Sequence, residues 1–594
     1  MAPATPIYLA TALDMVLGVF QAPPPDVAPG AAVLICAPWG WDEVASYRSR
    51  RLWSEQLAAS GHPTLRFDLP ASGDSAGVPA DPGRLDSWVA AVTRGVDWLR
   101  QTAEAPRLAV IGLGLGGLLA RESVARGARI DEMVLWGAPS SGRAFVRETR
   151  AFSRLQVGRG DDQGPGTDLP EGWLEASGFV LSAETLDSLR GLDPEVPASA
   201  SLRRALLLGR DGIEPDSELR ERLEGAGVDT AETPGAGWGA MVGHPESTTL
   251  PDDVVASVDS WLAAGDQAAA APVEPPAETP AAHTSPELSQ SVAMELDVGR
   301  VRIRETPMLV RQWFGDAFGV LAEPLDAPAQ DLCAVFLNAG AVRHTGPNRL
   351  WVETARRWAA RGVPALRIDL EGIGESDGDS NKRSDVASFY VPEFEQQVRT
   401  VMDALEKRGL GSRFLLAGLC AGGYWSFRAA LSDERAETAL LLNAGALTWH
   451  DNLLEQREAR KFDRMFQRRW WGKLYRGEVR VLKPGDVARL GKAKVASLPK
   501  RLSGRSSTAL QDRPEIDADL DLMRDSSTRL TMAFSADEAL HTELAAEGIL
   551  DQLERWPNLE LEELPGSDHT LRSISAQVAA SRLLDRELER ALSG

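Results

Sequence analysis

The stretch RFLLAGLCAGGYW (413–425) runs from an apolar segment through Gly-Leu-Cys-Ala-Gly-Gly into a helix-like sequence, and RLAVIGLGLGGLL (107–119) repeats that outline far earlier in the chain. A strand that turns sharply through Gly-x-nucleophile-x-Gly into a helix is a nucleophile elbow. Its small flanking residues make room for a strained central residue whose side chain stands exposed at the end of a sheet. The central positions here hold Cys420 and Gly114. One copy of the turn carries a thiol, and the other has no side chain at all.

Working outward from the two turns, the repeat extends to LAASGHPTLRFDLPASGDSAG (57–77) and WAARGVPALRIDLEGIGESDG (358–378). Gly61 falls on Gly362, Pro63 on Pro364, Arg66 on Arg367, Asp68 on Asp369, Gly73 on Gly374 and Ser75 on Ser376, in one unbroken register. GVFQAP (18–23) falls on GVLAEP (319–324) in the same register. Self-similarity over that length reads as one fold written twice. The Ala- and Pro-rich stretch 264–290 has almost no large apolar residues and reads as an extended linker. The expected organisation is a first domain at 1–263, that linker, and a second domain at 291–594. In each, short apolar runs such as AAVLICAP, PALRIDL and TALLLNAG alternate with helical patterns such as LDSWVAAVTRGVDWLRQ. That alternation predicts an α/β fold, a mostly parallel sheet flanked by helices, with the two domains packed against each other.

The 594-residue chain is 43% hydrophobic and 25% charged, an ordinary composition for a water-exposed protein, and its net charge is −22. That charge argues against nucleic acid as a partner, since phosphate contacts need a basic face. No apolar run is long enough to span a bilayer, and the N-terminal segment has no basic region before its apolar stretch. Cys36, Cys333 and Cys420 are too few and too scattered for a disulfide framework or a metal site. No metal or bound cofactor is expected, and a cytoplasmic setting is the simplest reading. GLGLGG is a poor dinucleotide fingerprint, because no ribose-binding acid follows at the right distance.

After Cys420, the run RLTMAFSADEAL ends at Asp537 and LELEELPGSDHTL delivers His569. A nucleophile followed by an acid and then a histidine, each at a strand end, is the chain order that accompanies a nucleophile elbow. Cys420 is therefore the expected nucleophile, His569 its base and Asp537 the group that orients the base. Glu538 and Asp568 are neighbouring carboxylates. The oxyanion hole would use the amides of Ala421 and Ala341, the latter in the loop LNAGAVRHTG. The first half keeps Asp211 and His244 at corresponding places, but Gly114 has nothing to attack with. That half reads as a degenerate site in a catalytically inactive domain.

The LRFDLPASGDS and LRIDLEGIGESDG blocks, the two elbows and NAGAVRHTGPNRL resemble the α/β-hydrolase superfamily, specifically its serine-aminopeptidase-like or exosortase-associated branch. The resemblance covers nearly the whole chain apart from the linker, and it implies two tandem α/β-hydrolase domains. An insertion at about 450–525 would then be a lid over the second site. Within residues 456–505 Lys and Arg far outnumber Asp and Glu, and Arg468, Arg469, Trp470, Trp471 and Lys473 make a basic, aromatic stretch. Such a surface suits an acidic partner, and an anionic membrane fits less well because no clean amphipathic stripe is present. The Gly-x-Cys-x-Gly-Gly elbow resembles the acyl and aminoacyl shuttles of carrier-protein pathways, and, over the elbow alone, polyhydroxyalkanoate synthases. A thiol nucleophile exchanges readily with a thioester. The expectation is an acyltransferase fed by an acyl carrier protein or coenzyme A thioester, with phosphopantetheine or coenzyme A as part of the substrate. The alternatives are a thioesterase or esterase that uses the same residues, and a non-catalytic scaffold.

Overall fold

The computed structural model describes residues 4–157, 169–197, 199–269, 290–291, 293–450, 453, 457, 515–526 and 528–593. Most of the expected linker and nearly all of the expected lid, including Arg468, Arg469, Trp470, Trp471 and Lys473, lie outside these residues.

Among the described residues, two nine-stranded sheets organise the fold. The first contains β1 (Thr5–Ala10), β2 (Met15–Gln21), β3 (Ala32–Cys36), β4 (Thr64–Phe67), β5 (Leu108–Leu113) and β6 (Glu132–Trp136). The small hairpin of β7 (Leu174–Ala176) and β8 (Phe179–Leu181) stands apart, and β9 (Arg204–Leu208), β10 (Asp229–Thr233) and β11 (Gln290–Ser291) complete the first sheet. The second sheet contains β12 (Met294–Val298), β13 (Val301–Gln312), β14 (Gly315–Pro324), β15 (Leu332–Leu337) and β16 (Ala365–Ile368). Its remaining strands are β17 (Arg413–Leu419), β18 (Ala436–Leu442), β19 (Arg529–Phe534) and β20 (Leu559–Glu563).

The strand orders are β10-β9-β6-β5-β3-β4-β2-β1-β11 and β12-β13-β14-β16-β15-β17-β18-β19-β20, the same topology read from opposite edges. In each, β4 or β16 and every strand beyond it to β10 or β20 pair in parallel, while β1, β2 and β4, like β13, β14 and β16, pair antiparallel. The central strands AVLIC and LCAVFL are buried at every residue, so helices must cover both faces and no polar alternation is seen. The helix Asp252–Ala269 continues into the first residues of the expected linker. Gln290–Ser291 and Met294–Val298 then extend one edge of each sheet, β11 on β1 and β12 on β13.

The repeated LR-x-D-L blocks meet at a buried, charged seam between the two halves. Arg66 pairs with Glu375 through two bonds of 2.9 and 3.0 Å, and Arg367 pairs with Asp74 at 2.9 Å. Because Arg66 corresponds to Arg367 and Asp74 to Glu375, each half offers the same arginine to the same acid of the other, the signature of a two-fold contact. Arg349 reaches the carbonyls of Gly73, Ser75 and Gly77, and Arg51 those of Gly374 and Ser376. Arg343 joins Asp68 at 2.7 Å and lies 4.0 Å over the Tyr47 ring. Gly73 and Gly374 turn at φ 48 and 53, and any β-carbon there would strike the Asp68 or Asp369 carboxylate. Glycine is therefore required at the tip of each block.

His344 sits in this seam between Asp74 and Asp369, 2.7 Å from each. Burial pushes its imidazolium toward neutrality, but the two carboxylates more than offset this and raise its pKa from 6.5 to about 9. A raised histidine pKa stabilises the folded state fully below the unfolded value, and the contribution disappears as pH climbs through the folded one. A shift of that size is worth about 3 kcal/mol. The melting temperature is expected to fall between pH 7 and pH 10. A differential scanning measurement on His344→Gln should show that slope largely removed, and an equal slope in both proteins would contradict the assignment.

Candidate active site

Cys420 ends β17 and opens the helix Ala421–Ser432 at φ 57 and ψ −120, and Gly114 holds the matching turn at φ 51 and ψ −118. Positive φ is costly for a residue with a β-carbon, so strain of about 1–3 kcal/mol is held at Cys420 by the surrounding contacts. Three of those contacts explain the glycines. A β-carbon on Gly418 would strike the backbone at Gly422, one on Gly422 would strike the Asn338 carbonyl, and one on Gly423 would press on Ala444 at 3.0 Å. The elbow packs as tightly as its sequence implies, and it leaves the thiol half-buried at the C-terminal edge of the sheet.

His569, in the loop after β20, has Nδ1 at 2.9 and 3.0 Å from the two carboxylate oxygens of Glu538. Its other side-chain partner is Cys420. Burial works against the imidazolium, yet the charge on Cys420, the hydrogen bond to it and the Glu538 carboxylate raise the His569 pKa well above its ordinary value. Thiol, imidazole and carboxylate thus form a connected relay, with Nδ1 tied to the acid.

The carboxylate that meets His569 in the structure is Glu538, where the sequence led us to expect Asp537. Asp537 stands at φ 66 with an exposed side chain, whereas Glu538 returns to φ −62, precedes the helix Ala539–Ala546 and is buried. The one-residue turn that exposes Asp537 delivers the longer, adjacent side chain to His569. Asn443, which the sequence reading did not single out, ties the parts together. Its amide nitrogen donates to the His569 carbonyl at 2.9 Å and to Ser535 Oγ at 3.0 Å, and its Oδ1 accepts from the Ser535 amide at 2.7 Å. The residue after an apolar strand, in TALLLNAG, was the available signal.

The structure also brings Tyr390 to the thiol. Its ring is stacked on Trp449 at 3.8 Å and edge-on to Tyr424 at 5.2 Å, and its hydroxyl bonds the Cys420 side chain. Burial, then the charge on Cys420, raises the Tyr390 pKa well above 10, so this hydroxyl stays a proton donor. Ala341 lies in a turn closed by Val342 N to Ala339 O at 3.0 Å and packs against the apolar cluster that contains Ala421, the first residue of the helix after Cys420. Arg457 donates to the Gly445 carbonyl at 2.6 Å and pairs with Glu543 at 2.8 Å, beside the Tyr390 hydroxyl.

In the first half the corresponding groups are not brought together. Asp211, at φ 45, accepts from the amides of Gly237 and Gly239, which lower its pKa, and the exposed His244 ring accepts from the Glu246 amide at 3.4 Å. Gly212 and Gly137 stand where the second half has Glu538 and Asn443. A β-carbon at Gly114 would have room, 3.6 Å from Pro38 and 3.7 Å from the Trp238 ring. Ser140 and Ser141 bond Glu218 and the Ala144 amide instead. Among the described residues, no helix is long and apolar enough to cross a membrane and no cluster of His, Cys, Asp and Glu is disposed to hold a metal.

No family model matches this chain, and no curated protein matches it either. Solved structures similar to it include ferulic acid-bound Est1E from Butyrivibrio proteoclasticus, 16% identical, covering 44% of this chain and 99% of that one, with a TM-score of 0.31. An α/β serine hydrolase without lid from Xanthomonas campestris is 13% identical, covering 46% of this chain and 98% of that one, with a TM-score of 0.28. The α/β hydrolase domain-containing protein 10 from mouse is 13% identical, covering 44% of this chain and 99% of that one, with a TM-score of 0.29.

Proposed function

We propose that this protein, whose fold is hydrolase-like, is an acyltransferase that carries the acyl group on Cys420, and that its first half is catalytically inactive. The observation that supports this reading best is the thiol at the elbow, joined to His569 and backed by Glu538. The Cys420 thiolate attacks the carbonyl of a carrier-protein or coenzyme A thioester. The amides of Ala421 and Ala341 and the Tyr390 hydroxyl receive the developing negative charge. The donor thiolate leaves and takes a proton from the His569 imidazolium, and the acyl group remains as a thioester on Cys420. An amine, thiol or hydroxyl acceptor then gives its proton to His569 as it attacks, and the thiolate of Cys420 is released.

A thioester on cysteine lies near in energy to the thioester it came from, so exchange is close to balance and transfer need not end in water. The basic, aromatic segment 456–505 would receive the acidic carrier protein or the phosphates of coenzyme A. A nucleophile of this kind belongs in a reducing compartment, which supports the cytoplasm. The test is product analysis after charging with a panel of acyl thioesters, with and without amine, thiol and hydroxyl acceptors. Acyl product that grows with acceptor at the expense of free acid supports transfer. Free acid at an acceptor-independent rate would make the protein a hydrolase, and neither product would favour the scaffold.

A further inference from the structure

Glu246 belongs to the first half, yet its carboxylate lies on the oxyanion turn of the second. A methyl group on Gly340, the residue before Ala341, would come within 2.6 Å of Glu246 Oε1. The same carboxylate acts electrostatically on Tyr390, whose hydroxyl touches the Cys420 thiol. Glu246 sits two residues after His244, on the loop that would carry the catalytic histidine were the first half active. The exchange is reciprocal: Arg572, three residues after His569, lies 5.5 Å over the ring of Trp41 in the first half. Val44 of the first half also packs against the apolar cluster on which Cys420 rests. The first half therefore forms one wall of the second half's site.

Among the described residues, no cation pairs with the Glu246 carboxylate. Arg457 is engaged by Glu543 and the Gly445 carbonyl, and Arg572 by Asp568. A half-buried carboxylate with no cation on it among the described residues, beside a turn whose amide must stabilise an oxyanion, opposes that charge as it develops. The opposition vanishes when the substrate itself brings a positive group to the carboxylate, and a neutral competitor is then selected against. We infer that Glu246 is a specificity-determining residue that receives the primary ammonium group of an amine-bearing substrate. This rests on the reading of Cys420 as the site's nucleophile. The ammonium belongs either to an aminoacyl donor or to an acceptor that carries it beside the separate group that attacks, and both would present the same cation to the same carboxylate.

The first arm of the test needs no acyl transfer. The full chain is treated with 2-aminoethyl, methyl and 2-sulfonatoethyl methanethiosulfonate, each of which forms a disulfide with the Cys420 thiolate and releases methanesulfinate. Cys420→Ala supplies the background. The cationic reagent should react fastest and the anionic one slowest, and Glu246→Gln should cut the cation-to-neutral rate ratio by about tenfold. A wild-type ratio equal to that of a small thiol in solution, a ratio unchanged in Glu246→Gln, or a Cys420 inert to all three reagents would each overturn the proposal. The second arm compares aminoacyl with des-amino acyl thioesters as donors, and acceptors with and without an ammonium beside the attacking group. Sensitivity to Glu246→Gln on the donor side or the acceptor side assigns the ammonium, and sensitivity on neither side contradicts it. Failure of every thioester donor would sink the acyltransferase reading while leaving the charge preference measurable.

Discussion

Glutamine at Glu538 is expected to slow acylation of Cys420 by about 10²–10⁴-fold, while asparagine at Asp537 should change it by less than about threefold. The carboxylate of Glu538 holds His569 through Nδ1 at 2.9 Å, leaving the other face of the ring for the thiol. An amide in its place neither fixes that tautomer nor stabilises the imidazolium that forms when the thiol gives up its proton. Asp537 is exposed and does not reach the histidine. Rates of thioester charging under single turnover, with the two variants side by side, check both numbers. Equal losses in the two variants would return the role to a shared carboxylate pair.

Alanine at Asp74 should cost about 3–5 kcal/mol of stability, the largest loss expected of a single change outside the active site. Asp74 is fully buried and meets Arg367 at 2.9 Å, His344 at 2.7 Å and Arg343 at 3.7 Å. Removing it leaves Arg367 with Glu305 and His344 with Asp369, and it strands positive charge where water cannot follow. The urea midpoint measures the loss, and a shift equivalent to less than about 1 kcal/mol would show that the seam relaxes or hydrates. Replacing the Asp74–Arg367 pair together by apolar residues should cost less than Asp74→Ala alone, because one cation then leaves with the carboxylate and the buried charge stays balanced.

Much of the fold was legible because it rests on short-range rules. Buried runs such as LAVIGL and LCAVFL alternate with helical patterns and so read as central parallel strands, and Gly418 is required by a contact only four residues on, whereas Gly422 and Gly423 answer to Asn338 and Ala444. The repeated blocks announced a duplication, but not why Arg66, Asp74, Arg367 and Glu375 recur. Their partners lie in the other half, at sequence separations that no local pattern reveals. The same limit applies at the site. Cys420 and His569 were singled out from chain order, but which of Asp537 and Glu538 meets the histidine turned on the backbone conformation of one residue, and two adjacent acids look alike in sequence. Tyr390 and Glu246 arrive on loops, one from beyond β16 and one from the other half, and neither has a motif around it.

The central claim is that Cys420 is a nucleophile made reactive by His569. Intact-protein mass after incubation with acyl-pantetheine, acyl-coenzyme A and acyl-carrier-protein donors tests it most directly. The account predicts a single acyl adduct on the wild-type chain, absent from Cys420→Ala and formed at least about 10²-fold more slowly in His569→Ala. An adduct that persists in Cys420→Ala, or one that forms at the wild-type rate in His569→Ala, would contradict it.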